Sequence, residues 1–160
     1  MTIKVGDRVP SASFKMLGED GMKEITTDEL FKGKKVVLFA LPGAFTPTCS
    51  AKHLPGFVAK AGDLKGKGVD AIACLSVNDA FVMKAWGDQQ NVDDKVLMLA
   101  DGNAEFTRAL GLELDASGFG MGTRAQRFAM VVDDGVVSHL AVEEGGDFKV
   151  SSAEAVLDAL

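Results

Sequence analysis

The fold of this chain is decided by Lys35-Val36-Val37-Leu38-Phe39-Ala40-Leu41, a stretch that is apolar at nearly every position and does not alternate with polar residues. A run of this kind is typical of a central strand that is covered on both faces of a sheet. It leads into Pro42-Gly43-Ala44-Phe45-Thr46-Pro47-Thr48-Cys49, which ends on one of only two cysteines in 160 residues. Because ligands of open α/β sheets bind beyond the carboxyl ends of the strands, this second stretch is where functional residues are expected.

Outward from this strand, apolar strand candidates alternate with helix candidates. Strands are predicted at residues 36–41, 71–77, 96–100, 128–133 and 136–142, and helices at 47–61, 80–90, 104–110 and 153–160. Pro55-Gly56 is expected to kink or interrupt the first helix. Asp133-Asp134-Gly135 predicts a tight hairpin, so the last two strands should pair antiparallel. The pattern predicts an α/β fold with a mixed central sheet flanked by helices, in a single domain over residues 1–160.

Composition and charge exclude several classes of function. No apolar run approaches the ~18 residues of a membrane span, and a formal net charge of −6 argues against nucleic acid or an anionic membrane as a partner. The first residues lack the charged-then-apolar layout of a signal peptide, and two cysteines are too few for a secreted disulfide scaffold. We therefore expect a cytoplasmic protein, with a trimmed organellar precursor as the alternative.

The position of Cys49 makes it a candidate nucleophile. Thr46 is expected to cap the helix and Pro47 suits its first turn, which leaves Cys49 among the unpaired N–H groups of the helix start. These groups and the positive end of the helix dipole stabilise a thiolate relative to a thiol. Since the thiolate is the reactive form, Cys49 is expected to carry the chemistry.

These residues also resemble a known family. Pro42, Thr46 and Cys49 reproduce the Pro-x-x-x-Thr-x-x-Cys signature of the peroxiredoxins. The wider PGAFTPTCSAKHLPGF resembles their type II (atypical, peroxiredoxin-5-like) subfamily. Three further segments share that likeness: CLSVNDAFVMKAW from Cys74, ADGNAEFTRALGLELD from Ala100, and GTRAQRFAMVVDDG from Gly122. The resemblance thus covers nearly the whole chain.

The resemblance implies a thioredoxin-like fold and a thiol peroxidase that reduces hydrogen peroxide and alkyl hydroperoxides. Cys49 would attack the O–O bond and become a sulfenic acid, with no metal and no organic cofactor. Thr46 would orient the peroxide with its hydroxyl, and Pro42 would shield the thiolate from bulk water. Arg127 matches the catalytic arginine of the family, whose guanidinium would favour the thiolate and stabilise the developing charge. Arg124, three residues earlier, is the alternative partner or a support that contacts nearby backbone.

Other titratable residues have more than one interpretation. Cys74, in an apolar strand, is either a buried structural cysteine or a resolving thiol that pairs with Cys49 after local unfolding. His53 could share a helix face with Cys49 and act as a base, but we expect it at the pocket rim or on the surface. His139 is expected to be an ordinary strand residue.

Recycling and assembly are predicted less directly. Some atypical relatives carry a resolving cysteine near the C-terminal end, whereas residues 148–153 here hold serines and no thiol. We therefore expect an external reductant, either glutathione with glutaredoxin or thioredoxin. Phe45, with Leu41, Phe81 and Phe119 as possible neighbours, indicates an apolar pocket edge for alkyl hydroperoxides or a homodimer interface, and type II relatives commonly form homodimers.

Two rival classes would leave the same cysteine in place. A disulfide reductase of the thioredoxin type needs a second cysteine three residues before Cys49, where this chain has Thr46. A binding or sensor protein would be oxidised at Cys49 only slowly, without acceleration by Arg127 and Thr46. The sequence favours the peroxidase over both.

Overall fold

The structure is a computed structural model that describes residues 2–160. In this part of the chain the strands are β1 (Ser13–Gly18), β2 (Gly21–Thr26), β3 (Lys35–Ala40), β4 (Ala71–Ser76), β5 (Leu97–Ala100), β6 (Glu113–Asp115), β7 (Thr123–Ala125), β8 (Phe128–Asp133) and β9 (Val136–Val142). The helices are α1 (Thr27–Phe31), α2 (Leu54–Ala59), α3 (Ala61–Gly66), α4 (Ala80–Gln89), α5 (Glu105–Leu110) and α6 (Ala153–Ala159). A π-helical segment (Cys49–His53) precedes α2, and a short 3-10 turn (Ser117–Phe119) follows β6.

Seven strands form one mixed sheet in the order β2-β1-β5-β4-β3-β8-β9. The central strand β3 runs parallel to β4 and antiparallel to β8, while β8 and β9 form the predicted antiparallel hairpin. Asp134 and Gly135 at its turn have φ of 49° and 83°, the left-handed conformation that a two-residue hairpin requires. The predicted mixed sheet and the pairing of the last two strands are confirmed.

Strand β3 contributes side chains to hydrophobic cores on both faces of the sheet. Val37 and Phe39 point into a core that also contains Phe57 and Trp86, from the side of α2 and α4. The alternate residues of β3 point into the opposite core, which contains Phe106. Residues 36 to 40 are fully buried, so the continuous apolar run reflects a strand that has no solvent-exposed face.

The sequence-based prediction missed the elements with the least apolar character. The β1–β2 hairpin, α1 and the small β6–β7 pair were not predicted. In β1 only Phe14 is fully buried, and in β2 no residue is buried. An edge hairpin of this kind has no strong hydrophobic period, because its stability comes from pairing to the rest of the sheet.

The predicted helix at 47–61 is divided more finely than expected. Pro47 and Thr48 are helical, the π-helical segment follows, and α2 then begins at Leu54 with Pro55 in its first turn. The Leu54 N–H donates to the Cys49 carbonyl, five residues back, as a π-turn requires. The interruption predicted at Pro55 is therefore present, and it takes the form of a widened turn on the N-terminal side of the proline.

Candidate active site

Cys49 lies in the first turn of the helical segment that follows β3, as predicted. It is the third helical residue counted from Pro47, and its thiol is fully buried. The predicted cap at Thr46 is wrong: the Thr46 hydroxyl donates to the Gly43 carbonyl at 2.7 Å instead of accepting from the helix. The backbone of Thr46 does join the helix, since its carbonyl accepts from the Ser50 N–H at 2.9 Å.

Arg127 reaches Cys49 from the adjacent strand. In the antiparallel ladder Ala40, the last residue of β3, pairs with Phe128, the first residue of β8. Arg127 therefore stands directly beside the loop that carries Cys49, although 78 residues separate them. Its Nη2 donates to the Cys49 Sγ at 3.1 Å. A cation that donates to sulfur stabilises the thiolate over the thiol.

The second guanidinium nitrogen of Arg127 is held by His53. Nη1 of Arg127 and Nδ1 of His53 are 2.7 Å apart. Because a guanidinium only donates, Nδ1 accepts, and the ring proton must sit on Nε2. Nε2 then donates to the Ser151 carbonyl at 2.9 Å. His53 is fully buried, so the expectation of a rim or surface position was wrong. The buried rings of Phe39 and Phe57 lie 5.0 and 5.6 Å from its ring and exclude it from solvent.

The same contacts keep His53 neutral. Burial, followed by the positive charge of Arg127, lowers the pKa of His53 from an ordinary 6.5 to about 3, against smaller opposing effects of Ser151 and Glu143. A base role at neutral pH would require His53 to take a proton beside a guanidinium, which these surroundings oppose. The geometry gives His53 a different task, which is to orient Arg127.

The loop from Pro42 to Thr46 is held from two sides. Arg124 donates from Nη1 to the Pro42 carbonyl at 3.2 Å and from Nε to the Met121 carbonyl at 3.0 Å. This is the supporting backbone contact that the sequence allowed as an alternative for Arg124. On the other side, the Ala44 N–H donates to Asn78 Oδ1 at 3.0 Å.

Gly43 and Phe45 have unusual local geometry within this loop. A Cβ at Gly43 would lie 2.7 Å from Nη1 of Arg124, so a larger residue would force the end of the arginine side chain to move from its place at the loop. Phe45 adopts a left-handed φ of 66°, which costs a non-glycine residue roughly 1 kcal/mol. Its ring lies 6.4 Å from that of Trp86 and is half exposed. Leu41, predicted beside Phe45 at the pocket edge, is instead fully buried in the core.

Cys74 is buried in β4, where it pairs with Phe39 of β3 and Met98 of β5. Both cysteines are free thiols. Burial, with a smaller effect from the nearby Cys49, raises the pKa of the Cys74 thiol well above its ordinary value. Cys74 is therefore protonated at neutral pH, and strand pairing on both sides holds it within the sheet. These features are those of a structural cysteine.

Sequence reasoning missed Asn78 and Ser151 as parts of the site. Asn78 follows β4 as Thr46 follows β3, and its position after an apolar strand was the available signal. Ser151 contributes a backbone carbonyl, which no sequence pattern indicates. Among residues 2–160, no cluster of three or more His, Cys, Asp or Glu side chains is placed to hold a metal ion. Nor does any helix in that range have the length and apolarity needed to cross a bilayer.

A buried cysteine that accepts a hydrogen bond from arginine, at the carboxyl edge of a mixed sheet of thioredoxin type, defines a thiol-based oxidoreductase. Comparison with known proteins gives the family. Residues 4–157 match the Redoxin family. The chain is 58% identical to peroxiredoxin-2E-2, chloroplastic, of Oryza sativa subsp. japonica, over 99% of this chain and 73% of that protein. It is 52% identical to peroxiredoxin-2B of Arabidopsis thaliana, over 99% and 98%.

A solved structure agrees with these relatives. Reduced Prx3 of Vibrio vulnificus, in complex with H2O2, is 57% identical and superimposes with a TM-score of 0.95 over 99% of each chain. The chain belongs to the redoxin family and, within it, to the type II peroxiredoxins. It is a thiol peroxidase, and the predicted thioredoxin-like fold and peroxidase activity are confirmed.

Proposed function

We propose that Cys49 is the peroxidatic cysteine of this peroxidase and that Arg127, Thr46 and Pro42 form its catalytic surroundings. The observation that carries this assignment is the 3.1 Å hydrogen bond from Arg127 to the fully buried Cys49 thiol. A buried thiolate with a single fixed cation is poised for attack, because little solvent must be displaced before reaction.

In the proposed step the Cys49 thiolate attacks the terminal oxygen of a hydroperoxide. An S–O bond forms, the O–O bond breaks, and the leaving oxygen takes a proton to become water or an alcohol. Cys49 is oxidised to the sulfenic acid and the peroxide is reduced. Arg127 stabilises the negative charge that moves from sulfur to the leaving oxygen.

Thr46 and Pro42 would place the peroxide. The Thr46 hydroxyl donates its hydrogen bond to the Gly43 carbonyl. Its oxygen can therefore accept a hydrogen bond from the O–H of the hydroperoxide. Pro42, half-buried and fixed through its carbonyl by Arg124, would cover the thiolate and limit access of bulk water.

Stopped-flow oxidation by hydrogen peroxide and by cumene hydroperoxide tests this assignment. Trp86 is the one tryptophan of a chain without tyrosine, and it donates to Ser50, next to Cys49, at 3.0 Å, so its fluorescence should report oxidation. We expect Cys49→Ser to abolish the fast phase and Arg127→Ala to slow it about 100-fold or more. Thr46→Val should also slow it, since it removes the acceptor. Oxidation that is insensitive to Arg127 would reject the assignment.

We further propose that the sulfenic acid is reduced by an external thiol, namely glutathione with glutaredoxin, or thioredoxin. Two electrons from two thiols would return Cys49 to its reduced form and release water and a disulfide. The serines of residues 148–153 and the burial of Cys74 within β4 support an external reductant over an internal one. Turnover assays with each reductant decide between them, and Cys74→Ala should turn over like the wild type.

A homodimer and a cytoplasmic location are proposed as well. Phe45, Phe81 and Phe119 are 49%, 63% and 86% exposed, and Arg124 links the loops that bear Phe45 and Phe119. Exposed aromatic residues beside an active site favour an interface. Sedimentation velocity should show a dimer that Phe119→Glu weakens, and a monomer at high micromolar concentration would reject the proposed dimer.

Two free thiols suit a reducing compartment such as the cytoplasm, and cell fractionation tests the location.

A further inference from the structure

The segment between β9 and α6 is fixed by one buried carboxylate. Oε2 of Glu143 accepts from the N–H groups of Lys149, Val150 and Ser151 at 2.7, 2.9 and 2.9 Å, and from the Ser151 hydroxyl at 2.7 Å. Glu143 is only 6% exposed. We call this arrangement, Glu143 with residues 149–151, the Glu143 clasp.

The clasp is joined to Arg127 at both ends. The Glu143 N–H donates to the Arg127 carbonyl at 2.9 Å, which continues the β8–β9 ladder. At the other end, the Ser151 carbonyl accepts from Nε2 of His53, and Nδ1 of His53 accepts from Arg127. Glu143 thus contacts the backbone of Arg127 directly and is connected to its guanidinium through Ser151 and His53.

The residue that precedes the clasped segment covers the guanidinium. Phe148 is half-buried, and its ring lies 5.1 Å from the ring of His53 and 5.9 Å from Cζ of Arg127. A ring face over a cation is attractive and excludes water on that side. If residues 149–151 were released, both this cover and the Ser151 carbonyl would move away from the site.

The electrostatics of the clasp agree with a fixed carboxylate. Burial raises the pKa of Glu143, but the hydrogen bonds from Ser151, Lys149 and Val150 together lower it below its ordinary value. Glu143 is therefore ionised at neutral pH, and its full charge is available to orient four donors. A neutral residue of the same size would hold them more weakly.

We infer that Glu143 is a positioning residue for the peroxidase reaction, acting on Cys49 through Ser151, His53 and Arg127. This inference rests on the proposed function, because it requires Arg127 to act on Cys49. Without the carboxylate, the Ser151 carbonyl would no longer be held where it accepts from Nε2 of His53. The ring would then lose one of its two fixed contacts, so Nδ1 would no longer be held toward Arg127 and the guanidinium would lose its orientation.

A double-mutant cycle tests the inference. The rate constant for oxidation by hydrogen peroxide is measured for the wild type, Glu143→Ala, Arg127→Ala and the double variant. We expect Glu143→Ala to slow oxidation by about 10- to 100-fold, as a small misplacement of a catalytic group does. In the Arg127→Ala background the same change should have almost no effect. This non-additivity is a result that a purely structural role would not produce.

Three further measurements make the outcome decisive. Glu143→Gln keeps the size and one acceptor oxygen, so it should retain more of the rate than Glu143→Ala and also serves if the alanine variant does not fold. Glu144→Gln removes the exposed neighbouring carboxylate and should oxidise like the wild type. The thiolate absorbance at 240 nm and fixed pH should fall in Glu143→Ala but not in Glu144→Gln.

The outcomes distinguish a failure of the proposed function from a failure of the positioning role of Glu143. If Arg127→Ala itself oxidises as fast as the wild type, the proposed function fails. If Arg127→Ala is slow but Glu143→Ala is fast, or the two effects multiply, only the positioning role of Glu143 is overturned. Slow Glu143→Ala with no further loss in the double variant supports the inference.

Discussion

Burial of neutral His53 predicts a specific loss of stability in mild acid. The pKa of His53 is about 3 in the folded protein, whereas an unfolded histidine titrates near 6.5. As the pH falls below 6.5 the unfolded chain takes up a proton that the folded protein refuses. Stability contributed by His53 is therefore present above pH 6.5 and is lost progressively down to about pH 3.

The size of the effect follows from these two values. Between pH 7 and pH 5, proton binding by the unfolded histidine lowers the free energy of unfolding by about 2 kcal/mol. The result is nearly the same for any folded-state pKa below 4, because the folded protein then stays unprotonated throughout the interval. Glu143, whose pKa is lowered, acts in a separate window, since its contribution is lost only as the pH falls below an ordinary glutamate value of 4.5.

Urea unfolding at pH 5, 6 and 7 measures the prediction. His53→Asn keeps an acceptor near the Nδ1 position but cannot bind the proton, so its stability should be lower overall and should change about 2 kcal/mol less between pH 7 and pH 5. His139→Asn removes the only other histidine and is measured alongside as the matched comparison. Equal pH dependence of His53→Asn and the wild type would refute the reasoning.

Three substitutions test other contacts of the site. Gly43→Ala places a Cβ 2.7 Å from Nη1 of Arg124, so it should displace that side chain and slow oxidation about 10-fold or more in stopped flow. Ser50→Ala leaves Nε1 of buried Trp86 without its 3.0 Å partner; we expect a changed emission spectrum and about 1–3 kcal/mol lower stability in urea. Cys74→Ala should lower stability by about 1 kcal/mol through a small cavity, while peroxidase turnover is retained.

Each of these has a result that contradicts it. Gly62→Ala, at an α3 position where no atom lies within 4 Å of the new Cβ, is the control for Gly43→Ala, and equal rates in the two would contradict the contact with Arg124. An unchanged spectrum in Ser50→Ala would mean that Trp86 does not sense the active-site helix. Loss of turnover in Cys74→Ala with every reductant would make Cys74 the resolving thiol.

The amino-acid sequence by itself determined the class of the fold and the location of the chemistry. The apolar run before Pro42 has no polar alternation, so it predicts a strand buried on both faces, and the turn at Asp134 predicts an antiparallel end to the sheet. Both signals are local, because periodicity and turn chemistry depend on neighbours in the chain. The placement of Cys49 in a first helical turn follows from the same kind of signal.

The tertiary structure alone decided how the site is held. His53 is near Cys49 in sequence, yet only the pairing of β3 with β8 brings Arg127 to it, and only the chain after β9 supplies the Ser151 carbonyl. The proton on Nε2 and the low pKa of His53 depend on burial and on groups 74 and 98 residues away along the chain. Hydrogen bonds and desolvation act over a few ångströms in space, so no local pattern in the sequence could specify them.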